Sequence, residues 1–318
     1  TGLLVLDKIK QTLADPYEHT PGNRKKEIWR LTKQLQTRKR LLRLRNQTGV
    51  LTDPESIAKE ITSFWAGIMN NGGAGEEACS TYLNDFFESK DMPKLVKALY
   101  KPLSIDVVLQ ALDNLQPTTA PGYDGFVVKI YKAFKDIFAP HMVLIIEEFL
   151  RTSEIPLHWS LALFNPIPKI PGDPVAKDLR PRVLQNTCLK WISATIALQL
   201  SDLINQITPK EQKGFIKGRY MQDHLSNAFG RWHDLDSGCF LFIDFANAFD
   251  SVTHQYAIVF FTCMSLPPEL IRLILALFRS PMALVSNGGV CFADLIRPTS
   301  GIRQGCPPSP ALFAMLVS

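Results

Sequence analysis

Cys239-Phe240-Leu241-Phe242-Ile243-Asp244-Phe245-Ala246-Asn247-Ala248-Phe249-Asp250-Ser251-Val252 is the stretch on which the reading of this chain turns. Its first five residues form a short, uninterrupted apolar run, the pattern of a buried strand. A carboxylate follows at once. Asp244 at the end of such a strand is costly unless it is paired or binds a cation. Magnesium chemistry on phosphates uses one or two such carboxylates plus the substrate's own oxygens. The alternative is a surface Asp that caps the next helix.

Working downstream, Ala257–Met264 is an apolar run far too short to span a bilayer and reads as a buried element. Pro268–Arg279 carries Leu270, Leu273, Ile274 and Leu277 on one helical side. Met282–Ser286 and Val290–Ile296 flank Asn287-Gly288, a hairpin signal because both turn residues need positive φ. Next comes Ser300-Gly301-Ile302-Arg303-Gln304-Gly305-Cys306-Pro307-Pro308-Ser309-Pro310. Glycines around Arg-Gln let a backbone pass close to a ligand, and Gln304 offers both donor and acceptor. A plain Gly/Pro turn explains the segment equally well. Ser309-Pro310 starts a last helix, Ser as cap and Pro at the first position.

Upstream, residues 1–100 read as helical. Ile28, Leu31, Leu35 and Leu42 form one stripe, broken at Asn46–Asp53. Thr52-Asp53-Pro54-Glu55 is a helix start, followed by Ile57, Ile61, Phe64 and Ile68 on one face. Residues 70–75 form a loop. Residues 101–230 alternate helices with Pro-rich turns. Ser104 caps a helix bearing Val108, Leu112 and Leu115, and 118–125 is a turn-rich loop. A long helical pattern runs from about Val127 to Arg151, a strand over Leu161–Ile167, and another helix from about Cys188 to Ile207.

Of the 318 residues, 46% are apolar and 20% charged, an ordinary soluble globular composition. Six scattered Cys without a C-x-x-C pair, and six His without H-x-x-x-H spacing, point away from a disulfide framework and from a zinc site. The opening at Thr1 has no secretory pattern and is expected to belong to something longer. Between Arg24 and Arg45 lie ten basic residues and one acid, a net +9 in a chain of formal charge +5, so the remainder is −4. That asymmetry fits a nucleic-acid partner, or a solvated helix face with no partner.

Taken together, these segments resemble the reverse transcriptases of LINE-type (non-LTR) retroelements. Phe242–Val252 is similar to the first palm motif of that family and Ser300–Pro310 to the second, with a helix and a hairpin between. Ala120-Pro121-Gly122-Tyr123-Asp124-Gly125 resembles its Pro-Gly-x-Asp-Gly loop; Pro166-Ile167-Pro168-Lys169 and Leu179-Arg180-Pro181 resemble its fingers motifs; Gln212–Arg219 matches its Gln-x-Gly-Phe-x-x-Gly-Arg segment. Each motif is weak singly; six in order, over about 101–318, are specific.

The resemblance implies an α+β right-hand polymerase fold: a helical, basic N-terminal extension (1–100), fingers (101–230) and a partial palm (231–318), with no thumb. It implies an RNA template, a DNA primer, deoxynucleoside triphosphates and two Mg2+ ions. Asp244 would hold the metals with the backbone carbonyl of Phe245. Phe249 matches the ring that blocks a ribose 2′-hydroxyl, although a simple core role is the alternative. Lys169 and Arg180 match triphosphate contacts; Gln304 and Gly305 would lie near the nascent base pair. Arg24, Lys25, Lys26, Arg38, Lys39 and Arg40 would meet nucleic-acid backbone, and Arg219 template or fingers packing. A nuclear location follows from the family alone, and no membrane role is expected.

The chain also departs from the pattern. The aromatic-Ala-Asp-Asp motif is not found before Ser318; Phe292-Ala293-Asp294-Leu295 precedes the second palm motif and has Leu where the second Asp belongs. The usual Arg-Pro-Ile-Ser is Arg180-Pro181-Arg182-Val183, and Pro308 replaces a common Leu. One carboxylate is too few for two divalent ions, so this chain alone is expected not to extend a primer. A non-catalytic nucleic-acid scaffold, or a decayed element, is the rival reading. A metal-dependent nuclease would need an acidic cluster that the sequence lacks.

Overall fold

The computed structural model describes residues 41, 43–70, 75–88, 90–169, 171–233, 239, 241, 243–286, 289–303 and 305–317. The Ile28–Leu42 stripe, Arg24 to Arg40 of the basic segment, the Asn287-Gly288 turn and Gln304 lie outside these residues.

The described chain mixes helices with small sheets, an α+β composition. It opens with the strands β1 (Leu44–Asn46) and β2 (Gly49–Leu51), then the helices α1 (Pro54–Met69), α2 (Glu76–Phe87), α3 (Met92–Leu99) and α4 (Ile105–Asn114). Helices α5 (Val128–Ala133), α6 (Lys135–Thr152) and α7 (Leu157–Ser160) lead into β3 (Ala162–Phe164), β4 (Ile167–Pro168), β5 (Leu179–Arg180) and β6 (Val183–Leu184). Then come α8 (Thr187–Ile207), α9 (Met221–His233), α10 (Ala248–Ser251), α11 (His254–Cys263), α12 (Pro268–Arg279), the strands β7 (Met282–Ser286) and β8 (Gly289–Ile296), and α13 (Ser309–Leu316).

Local signals explain several starts. The Asp53 carboxylate accepts from Ser56 N–H at 2.8 Å with Pro54 following, and Ser104 Oγ accepts from Val107 N–H at 3.3 Å. Helix α8 buries nearly its whole circumference and is the axis of a helical core that includes α4, α6, α11 and α12. A mixed sheet of order β6-β3-β7-β8 forms the second core: β3 runs parallel to β7 and antiparallel to β6, while β7 and β8 form the expected hairpin. Helix α1 covers that sheet, packing Trp65 edge-on to Phe164 at 5.9 Å.

Four expectations are corrected. Leu44–Leu51 is a β-hairpin inside the region read as helical, turned where Asn46 Oδ1 accepts from the Thr48 and Gly49 N–H groups. The long pattern from Val127 is two helices parted at Phe134, where φ −117° and ψ 30° leave the helical well. Pro308, not Ser309, caps α13. Most importantly, the described residues of the Cys239–Ile243 run are not in a strand: Leu241 and Ile243 are exposed and outside any ladder, while Phe240 and Phe242 lie outside the described residues. Apolar residues become a strand only where another strand offers hydrogen bonds, and none does among the described residues.

Candidate nucleotide-binding cleft

The two segments that the sequence singled out meet through backbone. Gly301 N–H donates to Val252 O at 2.6 Å and Ile302 N–H to Phe249 O at 2.8 Å; His254 N–H donates to Thr299 O at 3.3 Å. Gly301 has φ +95°, and a Cβ there would stand 3.2 Å from Asp250 Cα and O, so the close approach the glycine permits is to the protein's own backbone. Asp250 itself is buried. Gly305, at φ +114°, passes β6 so closely that a Cβ would lie 2.7 Å from Val183 O.

Asp244 sits on the exposed lead-in to α10, its carboxylate accepting from Phe245 N–H at 3.0 Å. Phe245 is exposed. Phe249 is half-buried, stacked on Phe313 at 4.1 Å and 22° and edge-on to Phe215 at 6.1 Å. Two motif segments and α13 thus share one aromatic cluster.

A cleft of about 730 Å³ lies beyond Gly305, walled by Arg180, Arg182, Lys190 and the start of the 118–125 loop. It unites two expected site residues, Arg180 and Gly305. Lys169 is not on its wall; this exposed side chain reaches Lys177 O at 3.4 Å. Arg219 is spent elsewhere: its guanidinium donates to Asn205 O, Thr208 O, Gln212 O and Pro209 O, closing the C-terminal end of α8.

Sequence reasoning missed the start of α8. Asn186 Oδ1 accepts from Asp124 N–H at 3.2 Å while its Nδ2 donates to His158 O and Trp159 O, both at 3.0 Å. Thr187 Oγ1 donates to Phe126 O and Lys190 Nζ to Ala120 O, each at 2.5 Å. Gly122 lies so close that a Cβ would be 2.3 Å from Asn186 N. The Pro-Gly-x-Asp-Gly loop is therefore bolted to α8. The signal was a lone lysine in the apolar run Cys188-Leu189-Lys190-Trp191-Ile192. Burial pushes the Asp124 carboxyl up and the Lys190 ammonium down, and the two charges partly offset this for the lysine.

Among the described residues no three His, Cys, Asp or Glu are grouped to hold a metal. Asp244 is one solvent-facing carboxylate, a fit for sharing a single divalent ion with phosphate oxygens but not for clamping two. No helix among the described residues is long and apolar enough to cross a membrane.

Known proteins place this arrangement. Residues 167–318 match the family model for reverse transcriptase (RNA-dependent DNA polymerase). The chain is 27% identical over 296 residues to the transposon TX1 uncharacterized 149 kDa protein of Xenopus laevis, covering 91% of this chain and 22% of that protein. It is 26% identical over 189 residues to a probable RNA-directed DNA polymerase from transposon BS of Drosophila melanogaster, covering 56% and 20%. With the RNA-directed DNA polymerase from mobile element jockey of Drosophila funebris it shares 24% over 331 aligned positions, covering 99% and 35%. The chain thus spans between a fifth and about a third of these relatives. Residues 167–318 thus match a reverse transcriptase family model, and the relatives are proteins of transposons and a mobile element.

Proposed function

We propose that the chain contributes the polymerising site of an RNA-directed DNA polymerase, in which an RNA template, a DNA primer and a deoxynucleoside triphosphate meet beside Gly305. One observation carries the reading: the backbone union of Phe249–Val252 with Gly301–Ile302, next to the cleft that holds Arg180. In this reading 101–230 act as fingers, 231–318 as part of a palm, and the basic stretch of the 1–100 extension, with Arg24, Lys25, Lys26, Arg38, Lys39 and Arg40, meets nucleic-acid backbone. The host compartment would be the nucleus, where chromosomal DNA lies.

Each residue has a physical task. Arg180 forks onto phosphate oxygens, and the exposed Lys169, next in sequence to the lining residue Pro168, adds a point charge. Phe249, held by Phe313, presents a ring edge where a 2′-hydroxyl would stand. Gln304 and Gly305 border the new base pair. A divalent cation, Mg2+ by family, supplies charge neutralisation to the phosphates when bound; Asp244 and the Phe245 carbonyl are the residues proposed to share it.

Because no three His, Cys, Asp or Glu side chains are grouped to hold a metal among the described residues, the test reads binding rather than turnover. Primer-template retention by the purified chain is measured with each dNTP and Mg2+. The dNTP complementary to the next template base should stabilise the complex above the other three. Phe249→Val should narrow the preference for dNTP over the matching rNTP by roughly tenfold or more. Equal retention with all four dNTPs sinks the polymerase reading and leaves a nucleic-acid-binding scaffold.

A further inference from the structure

The cleft holds two cations beyond those that the family motifs supply. Arg182 stands where the LINE-type pattern has Ile, and Lys190 comes from the first turn of α8; both line the same wall as Arg180. No carboxylate among the described residues lines the cleft, while Thr118 and Thr119 are among its lining residues. Its volume is that of a small-ligand site.

Each extra cation has donors to spare. In β6, Val183 is buried in the sheet core and Arg182, one residue earlier, is exposed as strand alternation requires. Its guanidinium has no hydrogen-bond or ion-pair partner among the described residues, although its backbone O accepts from Asn165 N–H at 2.7 Å. Lys190 is only 3% exposed, and one of its three N–H donors is engaged by Ala120 O. Asp124 attracts its charge but is not among the residues that line the cleft. Three cations around one concavity, with no acid among its described lining residues, repel one another until an anion with several charged oxygens arrives.

We propose that Arg182 and Lys190, with Arg180, grip the triphosphate of the incoming nucleotide, and that Lys190 couples this grip to the 118–125 loop through Ala120. The inference rests on the polymerase reading for the identity of the nucleotide; the phosphate chemistry stands on the cleft itself. Arg182 makes this chain's phosphate grip stronger than the family motif alone would give. Lys190 makes it sensitive to the loop, since ligand and loop share one ammonium group.

The probes are inorganic tripolyphosphate and a fluorescent dNTP, titrated against the purified chain, with single-stranded RNA in a parallel arm. Arg182→Ile restores the residue of the family pattern at an exposed site, so its melting should not move. It and Lys190→Met should each weaken tripolyphosphate and dNTP about tenfold, the scale of one charged hydrogen bond, with RNA binding unchanged. Lys190→Arg should recover most of the lysine's share, which a merely structural loss would not. Unchanged dNTP and tripolyphosphate affinity in Arg182→Ile and Lys190→Met overturns the inference while next-base selectivity keeps the polymerase reading. Loss of RNA binding instead assigns the cations to template backbone and likewise overturns it. Should next-base selectivity be absent, tripolyphosphate binding that still depends on Arg182 and Lys190 would uphold the phosphate site alone.

Discussion

Phe164 and Ile243 each sit in a short apolar run, yet Phe164 is 0% exposed and Ile243 is 74% exposed. Strand β3, which carries Phe164, is laddered on both edges, by β6 and β7, and roofed by Trp65 of α1. Ile243 has no ladder among the described residues. The two runs are close in composition, so composition did not decide between them. Hydrogen-bonding neighbours did: a strand's backbone groups must be satisfied before its side chains can be buried. Ile243, directly ahead of Asp244, is thus held by few neighbours, whereas Gly301 and Ile302 are held by backbone hydrogen bonds.

The largest effect should come from the laddered side. Phe164→Ala removes a fully buried ring between two packed layers and should cost about 3–5 kcal/mol in a urea melt. A loss below 1 kcal/mol would mean that the β6-β3-β7 core is not the rigid half of the comparison.

The second effect tests how firmly the turn grips α10 and α11. His254 is buried, and its Nε2 faces Gly301 O at 3.1 Å, so Nε2 carries the hydrogen and Nδ1, without a partner among the described residues, is bare. Burial, opposed by the Gly301 carbonyl and helped by Arg279 and Arg303, pushes its pKa down to about 4 from 6.5. The folded state therefore binds fewer protons than the unfolded one in this interval. Its contribution is whole above pH 6.5 and is lost as pH falls toward 4, amounting to about 3 kcal/mol for this shift. His254→Gln keeps an N–H donor and should flatten that limb of the stability curve. An unaltered limb would show that the imidazole is not held neutral by the turn.

What could be read from the sequence follows the same division. Helix starts at Asp53 and Ser104, the β7–β8 hairpin and the span of α8 all come from patterns within a few residues of one another. The meeting of Phe249 with Ile302 was reachable only through family resemblance, because nothing local joins positions 53 residues apart. Asn186 and Lys190 escaped notice since their acceptors, in 120–126 and 158–159, are set by tertiary packing. The β1–β2 hairpin is hidden by the basic residues around it, and apolarity alone does not make a strand at the exposed Leu241 and Ile243.

The smallest effect is the most diagnostic for the region around Asp244. Ile243→Thr keeps β-branching while removing apolar surface that the fold leaves in water. Exposed substitutions of this kind change stability by about 0.5 kcal/mol or less. The same denaturation assay used for Phe164 should find Ile243→Thr indistinguishable from the parent. If it costs more than about 1 kcal/mol, side-chain burial is present at position 243 in solution. Asp244 would then rest on an ordered strand after all, and the contrast with β3 would fail. A null effect, paired with a large one at Phe164, would instead mean that Asp244 is offered to ligands from a tether whose own stability contributes little, so that nucleic acid or nucleotide, rather than the core, must fix where its carboxylate lies.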